Sequence, residues 1–313
     1  MKHFFIINPA AGPLDVTKTV KQRLQAFEEW VTFDWETYVT SGPGDAAAAT
    51  QRICRENGDK PIRIYACGGD GTLNEALTGM LGFRNAQLAL FPAGSGNDFL
   101  RYYGARNDFR DIDRLIEGRP HPVDVMKLTV GRGEDVAVRY CLNVCNIGFD
   151  AWVAKNMINM KRKPIVGGDS VYTWSVLSSL LFHGKNSARI YVDGKLFNDS
   201  EKFFFCDLCN GRYVGGGYNC APLAKNDDGL IDIYKYRTVS YLRIAELVGA
   251  YRRGEHVDNP KFRDLLEFRQ AKDVVIESEK DIPVAIDGEV LFSDYFHVEM
   301  LHHAINFVAP KGL

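Results

Sequence analysis

Over roughly its first 125 residues the chain alternates short apolar runs with amphipathic stretches, and three of the runs end in glycine-rich turns. That alternation specifies a parallel sheet covered by helices. Strands are expected over 4–7, over 33–39 (Phe33, Trp35, Thr37 and Val39 alternating), over 62–66 and over 88–91. The first helix is expected to be N-capped by Asp15, with Val16, Val20, Leu24 and Phe27 on one stripe. Further helices are expected over 45–57, stopped by Gly58, over 72–80, and over about 108–117.

The turns are Asn8-Pro9-Ala10-Ala11-Gly12, Gly68-Gly69-Asp70-Gly71-Thr72-Leu73-Asn74-Glu75 and Pro92-Ala93-Gly94-Ser95-Gly96-Asn97-Asp98. Ligands of open parallel sheets bind at the carboxyl ends of the strands, so the three turns should converge on one crevice. Glycine lets backbone N–H groups approach phosphate oxygens, and a following helix adds the positive end of its dipole. A glycine turn can be merely a turn; three of them after successive strands, each with a polar tail, favour a phosphate site. Asp70 cannot donate to phosphate; it would orient Mg²⁺ through water or polarise an attacking hydroxyl. The chain contains no G-x-x-x-x-G-K-[ST] and no H-R-D or D-F-G, which excludes P-loop and protein-kinase scaffolds at the level of motifs.

From about Val123 the texture changes to segments rich in Val, Ile, Phe and Tyr, at 123–130, 136–146, 188–193, 203–210, 230–237, 272–277, 282–286, 290–292 and 296–308. Asp193-Gly194 and Asp287-Gly288 are hairpin signals. The second half is therefore read as an antiparallel β-sandwich, with helical inserts near 149–160, 170–184 and 240–254.

Composition narrows the function classes. Lys and Arg number 38 against 40 Asp and Glu, a formal charge of −2, so neither a nucleic-acid-coating chain nor an acidic disordered one is encoded. Seven cysteines, an odd number mostly within apolar runs, read as free thiols. Cys206 and Cys209 form a C-x-x-C, but on a strand they face opposite sides and cannot chelate one ion. No apolar stretch approaches the ~20 residues of a spanning helix, and the N-terminal run is too short for a signal peptide, so a cytoplasmic protein is expected.

The motif set Asn8-Pro9, Gly68-Gly69-Asp70-Gly71-Thr72 with Asn74-Glu75, and Pro92-x-Gly-Ser-Gly-Asn97-Asp98-Phe99 resembles the diacylglycerol kinase catalytic family. That family includes bacterial diacylglycerol and lipid kinases, sphingosine kinases and ceramide kinases. The resemblance continues through Pro122-Val123-Asp124-Val125, Asn143 to Gly148, Asp227-Asp228-Gly229-Leu230-Ile231-Asp232 and Asp287-Gly288-Glu289. Gly-Gly-Asp-Gly alone is shared with NAD kinases and phosphofructokinases; the remainder is more specific.

The resemblance implies an ATP- and Mg²⁺-dependent lipid kinase, most simply one converting diacylglycerol to phosphatidate. It implies an NAD-kinase-like nucleotide domain over 1–125 and a lipid-binding β-sandwich over 126–302, with a last strand, 303–313, returning to the first domain. ATP would contact Asn8, Thr40, Gly68, Gly69, Asp70, Gly71, Thr72, Leu73, Asn74 and Ser95. Asp70, Asp98 and Asp124 would form a polar network around the catalytic Mg²⁺. A structural Mg²⁺ would sit on Asp228 and the carbonyls of Lys225 and Leu230. Glu289 and Asp70 compete for the role of general base. Pro13-Leu14 stands where many members carry a cation, so that charge is missing or comes from elsewhere, Arg101 being one option; Lys225 replaces an Asp ligand.

The implied partners are a lipid acceptor and a membrane surface met peripherally, with Lys161-Arg162-Lys163 before the apolar stretch 172–182 as one docking candidate. A solvated charge run beside a core helix is the competing account of that stretch. Oligomeric state is not legible, a homodimer being one option. The rival functions are a kinase of the same fold acting on a sphingoid base, ceramide, phosphatidylglycerol or NAD, and a non-catalytic nucleotide- or lipid-binding protein.

Overall fold

The structure is a computed structural model and describes residues 1–12, 15–30, 33–94, 96–149, 151–152, 186–197, 201–238 and 240–313. Ser95, Pro13-Leu14, Lys161-Arg162-Lys163, the stretch 172–182 and most of the two inserts expected near 149–160 and 170–184 lie outside the described residues. The chain divides into two compact units, Met1–Val125 with His302–Leu313, and Met126–Leu301.

The first unit is built on parallel strands β1 (Lys2–Ile7), β2 (Asp34–Val39), β3 (Ile62–Gly68) and β4 (Ala86–Pro92). Their order is β2-β1-β3-β4, and the end of the last strand of the chain (Glu289–Ala309) adds to β4 in parallel through Asn306 and Phe307. β3 is buried along its whole length, as a central parallel strand must be. β2, at the edge, is only half-buried at Trp35 and Thr37, and Val39 is exposed, so its alternation marks a partly solvated face rather than core.

Helices α1 (Thr17–Glu28), α2 (Asp45–Asn57) and α3 (Asp70–Met80) follow the pattern, with Val20 and Leu24 buried on α1. Asp15 sits one residue before the capping position, yet its carboxylate accepts the Thr17 N–H at 2.8 Å and so supplies the first turn. Glu75, on α3, accepts N–H groups of Gly44 and Ala46 at 2.9 and 3.1 Å and thereby caps α2 from the neighbouring helix. The helix expected over 108–117 is shorter. A 3₁₀ turn covers Asp108–Arg110, and α4 runs only from Ile112 to Ile116, because the Asp111 backbone is extended and its carboxylate accepts the Arg114 N–H, starting a new helix there.

The second unit is the antiparallel β-sandwich. The strand order Leu266–Ala271, Ile231–Tyr236, Phe205–Cys209, Val144–Gly148, Asp273–Ile286 continues into Glu289–Ala309. The segments 272–277 and 282–286 are one strand with a register shift between Glu277 and Ile282. Its first half pairs with Arg189–Val192 and its second with Val144–Gly148. A bulge of this kind lets one strand pair with two different neighbours along its length. Both Asp-Gly pairs form two-residue turns in which Asp and Gly have positive φ (48° and 77°; 46° and 93°), the requirement of a type I′ turn. Period-2 alternation splits the strand Phe205–Cys209 between two apolar clusters. Cys206 and Leu208 pack with Ile147, Ile233 and Phe296, whereas Phe205 and Cys209 pack with Tyr234, Tyr236 and the helix Tyr241–Arg253. Cys206 and Cys209 thus face opposite sides. Among the described residues no helix is long and apolar enough to cross a membrane.

Candidate active site

The three glycine-rich turns meet at the carboxyl ends of β1, β3 and β4, and the contacts are too close for any side chain. A Cβ on Gly12 would lie 2.2 Å from the Ala93 carbonyl oxygen, one on Gly94 would lie 2.5 Å from the Gly69 Cα, and one on Gly96 would lie 2.9 Å from Asp70 Oδ2. The β3 turn is tied to the other two by hydrogen bonds. Asn8 Nδ2 donates to Thr72 Oγ1 at 3.0 Å, Asn97 Nδ2 donates to the Gly68 carbonyl at 3.1 Å, and the Ala93 and Gly94 N–H groups share that carbonyl at 2.8 and 3.1 Å. Asn97 holds a left-handed φ of 53° and is 1% exposed, a conformation Asn tolerates better than other side chains do.

Gly69 caps α3 with extended backbone, and Asp70 and Gly71 open its first turn, whose N–H groups lack helical partners and carry the positive end of the dipole. Leu73 is buried in the core, and its N–H already bonds to the Gly69 carbonyl at 3.0 Å. Asp70 Oδ2 accepts the Asp98 N–H at 3.2 Å, bringing those two carboxylates into one loop cluster. Thr40 follows β2, is buried, and donates its N–H to the Ile7 carbonyl, which seats it next to the Asn8 turn. Arg101 is committed to Asp98, Nε to Oδ1 at 3.2 Å.

Asp124 is fully buried in strand β5 (Arg119–Val130), and its Oδ1 accepts from the His303 N–H at 2.6 Å and from His302 Nδ1 at 2.9 Å. Ligand atoms of Asp124, His302 and His303 lie within 4.8 Å of one another. The two histidines and Arg106, whose Nη2 donates to the Gly94 carbonyl, carry no local signal in the sequence. Their partners are 178 and 12 residues away, Asp124 inside strand β5 and Gly94 on the irregular backbone after β4.

In the second unit, Glu289 is exposed at the exit of the Asp287-Gly288 turn. The turn is pinned by Asp287, whose carboxylate accepts the N–H groups of Leu142, Asn143 and Val144 at 2.8, 3.0 and 3.2 Å and the Cys141 thiol at 3.2 Å. Asp228 Oδ1 accepts the Leu230 N–H at 3.0 Å, folding the Asp-Asp-Gly-Leu segment back on itself. Nearby Asp232 is 2% exposed and accepts from Gln270 Nε2 at 2.8 Å. Burial pushes its carboxyl up to about 6 and the Asp228 charge adds to the rise, against the Gln270 amide, the Tyr234 hydroxyl and Lys225. Asp228 and Asp232 offer oxygen donors, the kind a hard divalent cation takes.

Residues 2–128 match the diacylglycerol kinase catalytic domain, and residues 143–309 match the YegS C-terminal NAD kinase beta sandwich-like domain. A probable lipid kinase YegS-like protein of Chromohalobacter salexigens is 31% identical over 268 residues, covering 83% of this chain and 80% of that one. A diacylglycerol kinase of Staphylococcus aureus (strain bovine RF122) is 30% identical over 288 residues, covering 91% and 84%. A crystal structure from Bacillus anthracis, provisionally named a diacylglycerol kinase, superposes with a TM-score of 0.76 at 26% identity, covering 100% of this chain and 98% of that one. Yeast NADH kinase shares the fold alone, with a TM-score of 0.54 at 11% identity over 99% and 84% of the two chains. The chain accordingly belongs to the diacylglycerol kinase catalytic family, among lipid kinases of the diacylglycerol kinase and YegS type.

Proposed function

We propose that the protein transfers the γ-phosphoryl group of ATP to the hydroxyl of a membrane lipid, with diacylglycerol as acceptor and phosphatidate as product, in a reaction dependent on Mg²⁺. The observation that carries this reading is the convergence of three turns, packed glycine against backbone, on the first turn of α3, with the Asp98 N–H bonded to the Asp70 carboxylate beside it. Such a cradle offers N–H donors to phosphate oxygens and carboxylates to a hydrated cation. When bound, Mg²⁺ supplies neutralisation of the charge on the transferring phosphoryl group. Asp70 and Asp98 would hold the catalytic ion. Asp228 with the Lys225 and Leu230 carbonyls would hold a structural one.

Glu289 is the general base in this reading, and Asp70 stays with the loops, because the Asp70 carboxylate is already tied to the Asp98 N–H while Glu289 is exposed on a pinned turn. The acceptor hydroxyl oxygen bonds to the γ-phosphorus, the bond to the β–γ bridging oxygen breaks, ADP leaves, and Glu289 takes the hydroxyl proton. The name of the Chromohalobacter relative, lipid kinase YegS-like, favours a second acceptor class, another lipid alcohol. Incubation with γ-labelled ATP, Mg²⁺ and vesicles holding diacylglycerol, monoacylglycerol, sphingosine, ceramide or phosphatidylglycerol, with NAD alongside, separates the readings. Labelled phosphatidate is expected; label entering only another lipid would move the acceptor, and label entering NAD alone would reject a lipid kinase.

A further inference from the structure

The three turns that form the cradle contain Asp70, Glu75 and Asp98 and no Lys or Arg. A polyphosphate bringing several negative charges needs cationic side chains from outside them. Three arginines pack on the β4 turn from the irregular segment that follows it. Arg101 pairs with Asp98, Arg110 Nε donates to the Pro92 carbonyl at 3.4 Å, and Arg106 Nη2 donates to the Gly94 carbonyl. Of these, Arg106 has donor capacity in reserve: its Nε is buried and has no hydrogen-bond partner. A guanidinium presents five N–H donors in a fixed fork, and a buried one left unpaired is costly, so the arrangement is that of a donor set awaiting an acceptor.

The local electrostatics agree. Burial pulls the Arg106 guanidinium below its ordinary value, the Arg110 and Arg101 charges pull it further, and Asp70 opposes them. Arg106 is therefore in electrostatic reach of the first turn of α3 while sharing a site with two like charges. Arg101, Arg106 and Arg110 bring three like charges to the turn, opposed there by Asp70 and Asp98, while Glu75 is taken up by the Gly44 and Ala46 N–H groups. An anion would relieve the repulsion.

We propose that Arg106 is a phosphate-binding residue of the cradle, a bidentate donor to the terminal phosphates of a nucleoside triphosphate. This rests on the reading of the loops as a triphosphate site. The test is titration calorimetry of the whole protein with inorganic triphosphate, ATP and adenosine, on wild type and Arg106→Gln. Loss of one charged contact to phosphate should weaken triphosphate and ATP about 10- to 100-fold and leave adenosine within about twofold. Unchanged triphosphate binding, or an equal loss for adenosine, would overturn the inference and leave the nucleotide reading standing. Wild type that binds none of the three would overturn both. If Arg106→Gln does not fold, Arg106→Lys decides. A loss of about three- to tenfold confined to the phosphate-bearing ligands supports a bidentate fork, and no loss, or one shared by adenosine, overturns it.

Discussion

At Gly12 two constraints coincide: φ is 79°, and an added Cβ would meet the Ala93 carbonyl oxygen. Gly12→Ala should therefore cost about 2–4 kcal/mol, left-handed strain plus overpacking, and a urea titration that shows less than about 0.5 kcal/mol would contradict the contact. Glu289 makes a prediction of a different kind. Glu289→Gln keeps the pinned turn and removes the base, so kcat should fall by about a hundredfold or more while ATP affinity stays within about twofold. Near-normal turnover would return the role to Asp70. At this scale the sequence speaks where chemistry is local. Asn8, Asp70, Thr72, Asn97 and Asp98 stand in motifs whose spacing along the chain is their spacing in the cradle. Arg106 and the pair His302-His303 do not, because what places them is the meeting of distant or irregular backbone.

Elements show the same division. Strands β1 to β4 and the first three helices are legible from periodicity, and Asp193-Gly194 and Asp287-Gly288 mark hairpins that form as type I′ turns require. Periodicity could not join 272–277 to 282–286, since the bulge between them breaks the pattern without ending the strand. Nor could it see Asp111 cutting the helix expected from 108. Two histidines test packing at this level. His3, in β1, is buried with Nδ1 2.8 Å from the Tyr65 hydroxyl, and His256 is buried with Nε2 3.1 Å from the Cys220 carbonyl. Burial lowers both to about 4, helped at His3 by Arg63 and the N-terminus. In each case the unfolded chain, with a pKa near 6.5, binds the proton more tightly, so stability is fully present above about pH 6.5 and falls as pH drops toward 4, by up to about 3 kcal/mol per histidine. Asp232, pushed up to about 6, works in the opposite direction below that value, which leaves a net loss of about one histidine's worth. Urea midpoints should fall from pH 7 to pH 4.5, and less steeply in His256→Asn; a flat profile would contradict the burial of both rings.

For the whole molecule, length alone is compatible with two domains of any kind, and a charge of −2 excludes only a global attraction to anionic surfaces. The motifs and the fold give the two units different chemistry. The first holds the glycine-turn cradle, and the second is a sandwich with two buried apolar clusters and a pinned Asp287-Gly288-Glu289 turn, to which the proposed reaction assigns the acceptor and its deprotonation. Acceptor identity is the least legible property, because an apolar site is defined by volume and lining rather than by motif. The most direct test follows γ-labelled ATP and diacylglycerol vesicles through a single time course, with ADP and phosphatidate quantified together and a chelated control. One labelled phosphatidate should form per ADP, and chelation of divalent cations should abolish both. ADP release without labelled lipid, or label transferred only to a water-soluble acceptor, would contradict that reaction.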